Sequence, residues 1–191
     1  MSGKTFAPEQ DRTDRRVRRT RAALREALIE LLPRKPYERI TVEDICKAAD
    51  IGRSTFYAHY RGKEDLQRAA IGDRLGNMLA ERRRASPGAS PTLVILEHVR
   101  DYRRLHRGPI GGRGTRVAVE ALRRSVTDMI RAEAGDSSSE SAFERDFRTR
   151  YLVGAFMEVL ICWVDRGARE TPEQVEELFQ ALSKRGAMPC G

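Results

Sequence analysis

A chain of 191 residues can hold one domain or two small ones with a real core. Its 40% hydrophobic and 34% charged residues suit a helical protein with long charged faces, and its net charge of +8 favours an anionic partner. No stretch reaches the ~18 apolar residues of a membrane span, because Glu158 breaks the run from Tyr151 to Val164. The N-terminus also lacks the apolar segment of a signal peptide, so the expected compartment is the cytoplasm, at the nucleoid. Cys46, Cys162 and Cys190 lie far apart and form no Cys-x-x-Cys pair, which argues against a disulfide framework or a zinc site. The positive charge is spread over both halves of the chain, so only local clustering can locate an anionic partner.

Residues 1–12 are polar, with Pro8 and few apolar groups, and read as a disordered arm. A first helix is expected from about Asp14 to Leu32. Val17, Leu24, Leu28 and Leu31 mark its inner face, and Pro33 and Pro36 end it. Arg12, Arg15, Arg16, Arg18, Arg19 and Arg21 crowd its start. They fit a solvated helix end or an arm that touches phosphates.

The stretch from Thr41 to Leu66 organises the chain. Thr41 is a helix N-cap with Asp44 three residues on, an approximate capping box. Val42, Ile45, Ala48 and Ala49 follow on one face. Asp50 sits where a left-handed residue would end that helix, and Gly52 can cap the next. In the second helix Phe56 and Tyr60 lie at i, i+4 and point inward with Ile51. Arg53, Ser54, Thr55, Tyr57 and His59 are left outside. Two short helices with polar side chains on the first turn of the second form a helix-turn-helix for a DNA major groove.

Five segments carry a resemblance to the TetR/AcrR family of bacterial transcriptional regulators. They are Thr41-Val42-Glu43-Asp44-Ile45, Ala48-Ala49, Ser54-Thr55-Phe56-Tyr57, His59-Tyr60 and Lys63-Glu64-Asp65-Leu66. The family usually has Gly where this chain has Asp50, and often Ser where it has Gly52. The resemblance implies phosphate contacts for Thr41, Tyr57, His59 and Lys63, all of which offer donors to phosphate oxygen. Arg53, Ser54 and Thr55 occupy the helix start, where base edges are reached. Arg53 can bind guanine bidentately or stay on the backbone.

Beyond the head, a helix is expected from Lys63 to about Ala85, then a break at Ser86-Pro87-Gly88-Ala89-Ser90-Pro91. Thr92 to about Leu105 is helical again, with Leu93, Leu96, Val99 and Tyr102 spaced for burial. After Arg107-Gly108-Pro109-Ile110-Gly111-Gly112, a helix spans about Thr115 to Ala134, and Gly135 to Ser139 is a polar linker. Apolar residues cover more than one stripe of a helix from about Ser141 to Gly167, so burial on more than one side is expected. Thr171-Pro172-Glu173 starts the last helix, with Val175, Leu178, Phe179 and Leu182 inward. The expected fold is all-α, with about nine helices. A three-helix head at 13–62 precedes a helical ligand-binding and dimerisation domain at 63–186 and a tail at 187–191.

The run from Tyr151 to Phe179 also looks like the short ligand domain of one TetR branch. The resemblance implies a homodimer on a palindromic double-stranded operator and release by a small-molecule effector of unknown identity. The last two helices would pair across subunits through Leu152, Val159, Leu160, Trp163, Val175, Leu178, Phe179 and Leu182. Met78, Leu96, Tyr102, Leu122, Val126, Met129, Tyr151 and Phe156 are candidate lining of an effector cavity. Repression is the expected sign, although some members of such branches activate. Against a helical enzyme, Tyr102 stands between His98 and His106 where a helical metal pair would want a second ligand. No glycine-rich loop follows a strand, and Ser54, Ser125 and Ser183 lack a nucleophile motif. No catalytic residue, cofactor or metal is expected. An architectural DNA binder would not need the long apolar C-terminal half.

Overall fold

The computed structural model describes residues 9–86, 88, 90–105, 113–134 and 140–186. The described residues form α1 (Glu9–Leu31), a 3₁₀ turn (Tyr37–Arg39), α2 (Val42–Ala49), α3 (Arg53–His59), α4 (Lys63–Ala85), α5 (Pro91–Leu105), α6 (Arg113–Ala134), α7 (Ala142–Asp165) and α8 (Pro172–Gly186). They contain no strand, so the fold is all-α, close to the expected helix number. α1 begins at Glu9, earlier than the expected Asp14. The arm over residues 1–8, the 106–112 breaker, the 135–139 linker and the 187–191 tail lie outside the described residues.

The chain divides into two compact units. Residues 1–70 and 108–117 form the first; residues 71–107 and 118–191 form the second. The boundary expected at 62/63 therefore falls later, inside α4. The first unit also takes in the start of α6, a pairing distant in sequence that periodicity cannot reveal.

In the first unit, Leu24 and Leu28 of α1 meet Ile45 of α2, Phe56 of α3 and Leu66 of α4 in one core. Each is at most 1% exposed, and such burial stabilises by about 1.5–3 kcal/mol per side chain. Ala48, expected inward, is exposed. Its neighbour Ala49 packs against the core instead. Gly114 at the start of α6 lies against the Tyr37 ring. A Cβ there would come within 2.4 Å of Tyr37 Cδ1, so only glycine fits. Gln67 Nε2 of α4 donates to the Gly114 carbonyl at 3.1 Å, inside the unit.

In the second unit, one core gathers residues from α4 to α8. α5 is buried on most of its surface: Val94, Ile95, Leu96 and His98 are all enclosed. α7 buries a single stripe, Thr149, Val153, Phe156, Met157, Leu160 and Trp163. Its other apolar face is open, with Phe143, Phe147 and Tyr151 exposed. The expected two-sided burial is thus one-sided within the chain. α8 turns Val175 and Phe179 inward and leaves Leu178 and Leu182 at 62% and 54% exposure.

These burials correct two sets of expectations. Leu160, Trp163, Val175 and Phe179, expected at a dimer interface, are core residues of their own chain. Only Leu178 and Leu182 are fully open, while Leu152 and Val159 are half-buried. Among the expected cavity-lining residues, Leu96, Leu122, Val126, Met129 and Phe156 are packed into the core. Met78 is half-buried and Tyr151 is exposed. The Tyr102 side chain lies outside the described residues. Apolar spacing marks an inward face, and it cannot separate a cavity wall from packed core.

Candidate nucleic-acid interface

The head begins with a clasp at α2. Thr41 is extended and caps the helix. Its hydroxyl accepts from the Asp44 N–H at 3.1 Å, and the Asp44 carboxylate accepts from the Thr41 N–H at 2.7 Å. This is a complete capping box. The sequence reading missed its third member. Lys35 places Nζ 2.6 Å from Asp44 Oδ2. The ammonium of Lys35 and the two donors of Thr41 hold the Asp44 carboxyl well below the usual carboxylate range. Thr41 therefore has both its hydroxyl and its N–H committed to Asp44. A phosphate at this end would meet the free N–H groups of the first turn of α2 instead of the Thr41 side chain.

Asp50 ends α2 in the left-handed conformation, φ 52° and ψ 46°. Its N–H donates to the carbonyl of Lys47 at 3.3 Å, and that of Ile51 to the carbonyl of Cys46 at 3.0 Å. These bonds close the helix in the manner of a C-terminal cap, and Asp tolerates the conformation. Gly52 then caps α3 with no side-chain bond. The chain turns sharply within three residues, which sets the angle between α2 and α3.

α3 is held from beneath by Phe56 at 0% exposure, with Tyr60 just after it at 6%. The Phe56 and Tyr60 rings lie 6.0 Å apart, and Tyr57 meets Phe56 edge-on at 5.3 Å. Tyr57 is thus braced at its base while 52% of it stays exposed. Arg53, Ser54 and Thr55 are exposed on the first turn, and His59 is half-exposed on the last. A short, rigid helix displays a guanidinium, two hydroxyls and a phenol on its outer face. These are the donors that base edges and phosphates accept from.

Lys63 does something else. Its Nζ donates to the carbonyls of Tyr37 at 2.9 Å, Glu38 at 3.2 Å and Ile40 at 2.8 Å, and lies 4.6 Å from the Tyr37 ring centroid. All three donors of the ammonium are spent on the 3₁₀ turn that leads into α2. The expected phosphate contact is corrected: Lys63 fixes the entry to α2 from within the protein.

On the far side of the turn, Arg15, Arg16, Arg19 and Thr20 of α1 line an open recess of about 510 Å³ with Ala49 and Ile51. The arginine cluster is therefore placed beside the junction of α2 and α3.

This arrangement has relatives. A family model described as bacterial regulatory proteins, tetR family, matches residues 24–70. Over 75 residues the chain is 42% identical to an uncharacterized HTH-type transcriptional regulator, YxbF, of Bacillus subtilis (strain 168). That match covers 37% of this chain and 20% of the relative's length. Across 92% of this chain and 99% of the other, the fold is similar to a TetR transcriptional regulator from Streptococcus agalactiae 2603V, at 25% identity and a TM-score of 0.54. NalD of Pseudomonas aeruginosa, described as the secondary repressor of the MexAB-OprM multidrug efflux pump, shares the fold at 18% identity and a TM-score of 0.51, over 91% and 98% of the two chains. Through its helix-turn-helix domain the chain belongs to the TetR family of bacterial transcriptional regulators. No helix of the described residues is long and apolar enough to cross a membrane.

Proposed function

We propose that the protein binds a palindromic operator as a homodimer, represses transcription there, and is released by a small-molecule effector. The observation that carries the reading is the exposed row Arg53, Ser54, Thr55 and Tyr57 over a fully buried Phe56. Tyr57 and His59 grip phosphates on either side of the groove, and Arg53, Ser54 and Thr55 face base edges. One head offers too few base contacts to find a unique site, and a two-fold pair doubles them. The pair forms through the open apolar residues of the last two helices: Tyr151, Leu178 and Leu182, flanked by Leu152 and Val159. An effector that favours one arrangement of the paired heads shifts the population away from operator binding.

Selection of genomic fragments by the purified protein tests the base-reading role. Arg53→Ala is expected to relax preference at one position of each half-site by about 1–3 kcal/mol. Recovery of an unchanged motif with the variant would remove Arg53 from base reading.

A further inference from the structure

α8 buries a carboxylate that neither core packing nor DNA binding uses. Glu176 is 7% exposed, one turn beyond Pro172 and facing the same way as the core residues Val175 and Phe179. Its Oε1 accepts from Thr92 Oγ1 at 2.9 Å and from Gln180 Nε2 at 2.9 Å, and it also accepts from the Ser90 hydroxyl. Its Oε2 is enclosed and has no hydrogen-bond partner. The three donors crowd one oxygen and leave the other bare. A buried carboxylate oxygen without a donor costs about 1–3 kcal/mol or more, and folded proteins keep few such atoms.

Glu176 lines an open recess of about 540 Å³ in the second unit, together with Arg83, Ser90 and Lys184. Its floor therefore carries a negative charge, and its rim carries two positive ones. A simple anion is repelled by Glu176 and a simple cation by Arg83 and Lys184. A small molecule with a donor at one end and an anion at the other satisfies both. An ammonium would supply the missing bond to Oε2, and a carboxylate would reach the guanidinium and ammonium at the rim. The recess is roomy enough for such a molecule, whose volume is small against those of ordinary ligand pockets. It is also polar, unlike the apolar core of α4 to α8 described above.

We infer that the Glu176 recess is a binding site for a small zwitterion of the amino-acid class. Ser90, Thr92 and Gln180 hold the carboxylate in place, and Arg83 and Lys184 select the ligand's anionic end. The inference does not rest on DNA binding and is tested on the free protein.

The common L-amino acids, offered one at a time at millimolar concentration, are expected to include at least one that raises Tm and binds saturably by calorimetry. Methylammonium and acetate, the two half-molecules, are expected to bind far more weakly. Glu176→Gln should weaken binding by about ten-fold or more. Lys184→Ala, at an exposed position, should weaken it without loss of folding, which keeps the test decisive if Glu176→Gln does not fold. The inference is overturned if no amino acid binds, if acetate or methylammonium binds equally well, or if binding survives unchanged in Lys184→Ala.

Discussion

Lys63 and Tyr57 stand six residues apart, and the family resemblance gives them the same task. Their surroundings separate them. Lys63 spends its donors on three carbonyls of the 3₁₀ turn, while Tyr57 is braced by Phe56 and half open to solvent. Lys63→Met is therefore expected to cost about 2 kcal/mol of stability, because hydrogen bonds from a charged group are lost and two part-buried carbonyls go unpaired. Chemical denaturation measures this, and a variant as stable as the parent would refute the capping role. Tyr57→Ala should leave stability nearly untouched and weaken binding to specific and nonspecific duplexes alike, by about 1 kcal/mol. Fluorescence anisotropy on both duplexes checks it, and unchanged affinity would exclude the phosphate contact. The inward pair Phe56 and Tyr60 was legible from i, i+4 spacing. The partners of Lys63 were not, because they lie more than twenty residues away in a turn that only the fold brings near.

At the scale of elements, α6 and α5 each carry a buried feature that spacing does not announce. The start of α6 meets Tyr37 where no side chain fits. Gly114→Ala should destabilise the first unit by about 1–3 kcal/mol through overpacking. The cost should shrink in a Tyr37→Ala background, since the two positions interact directly. A double-mutant cycle by denaturation tests this, and additive effects would contradict the contact. α5 encloses His98, and burial, helped by the charge of Arg74, lowers its pKa to about 4. The unfolded chain then binds this proton more readily than the folded one. The stability contribution is complete above about pH 6.5 and is lost as pH falls toward 4, by up to about 3 kcal/mol. His98→Leu should flatten the stability curve over that window, and an unchanged slope would show that His98 is not its source. Helix ends were mostly legible from caps and prolines, as Thr41, Asp50 and Thr171-Pro172 show. Glu176 was not, because a polar residue on an inward stripe is invisible to a search for apolar spacing.

For the whole molecule, the apolar excess of α7 and α8 has two destinations. Trp163 and Phe179 belong to the core of the second unit, whereas Leu178 and Leu182 remain open. Sequence pattern alone gives all four the same signal, which is why the expected interface mixed core with surface. The separation makes a prediction. Leu178→Asp should shift a sedimenting dimer toward monomer with little change in the monomer's own stability. Trp163→Ala should instead lower stability by about 3–5 kcal/mol. A chain that sediments as a monomer at micromolar concentration before any substitution would rule out the pairing.

The account depends most on α3 reading duplex DNA in two symmetric places. Selection of genomic fragments with the purified protein measures that directly. The expected result is an enriched motif with two-fold symmetry and half-sites one helical turn or a multiple apart, lost when Arg53 and Tyr57 are both replaced by Ala. Enrichment of no motif, or of one that survives the double replacement, would contradict it.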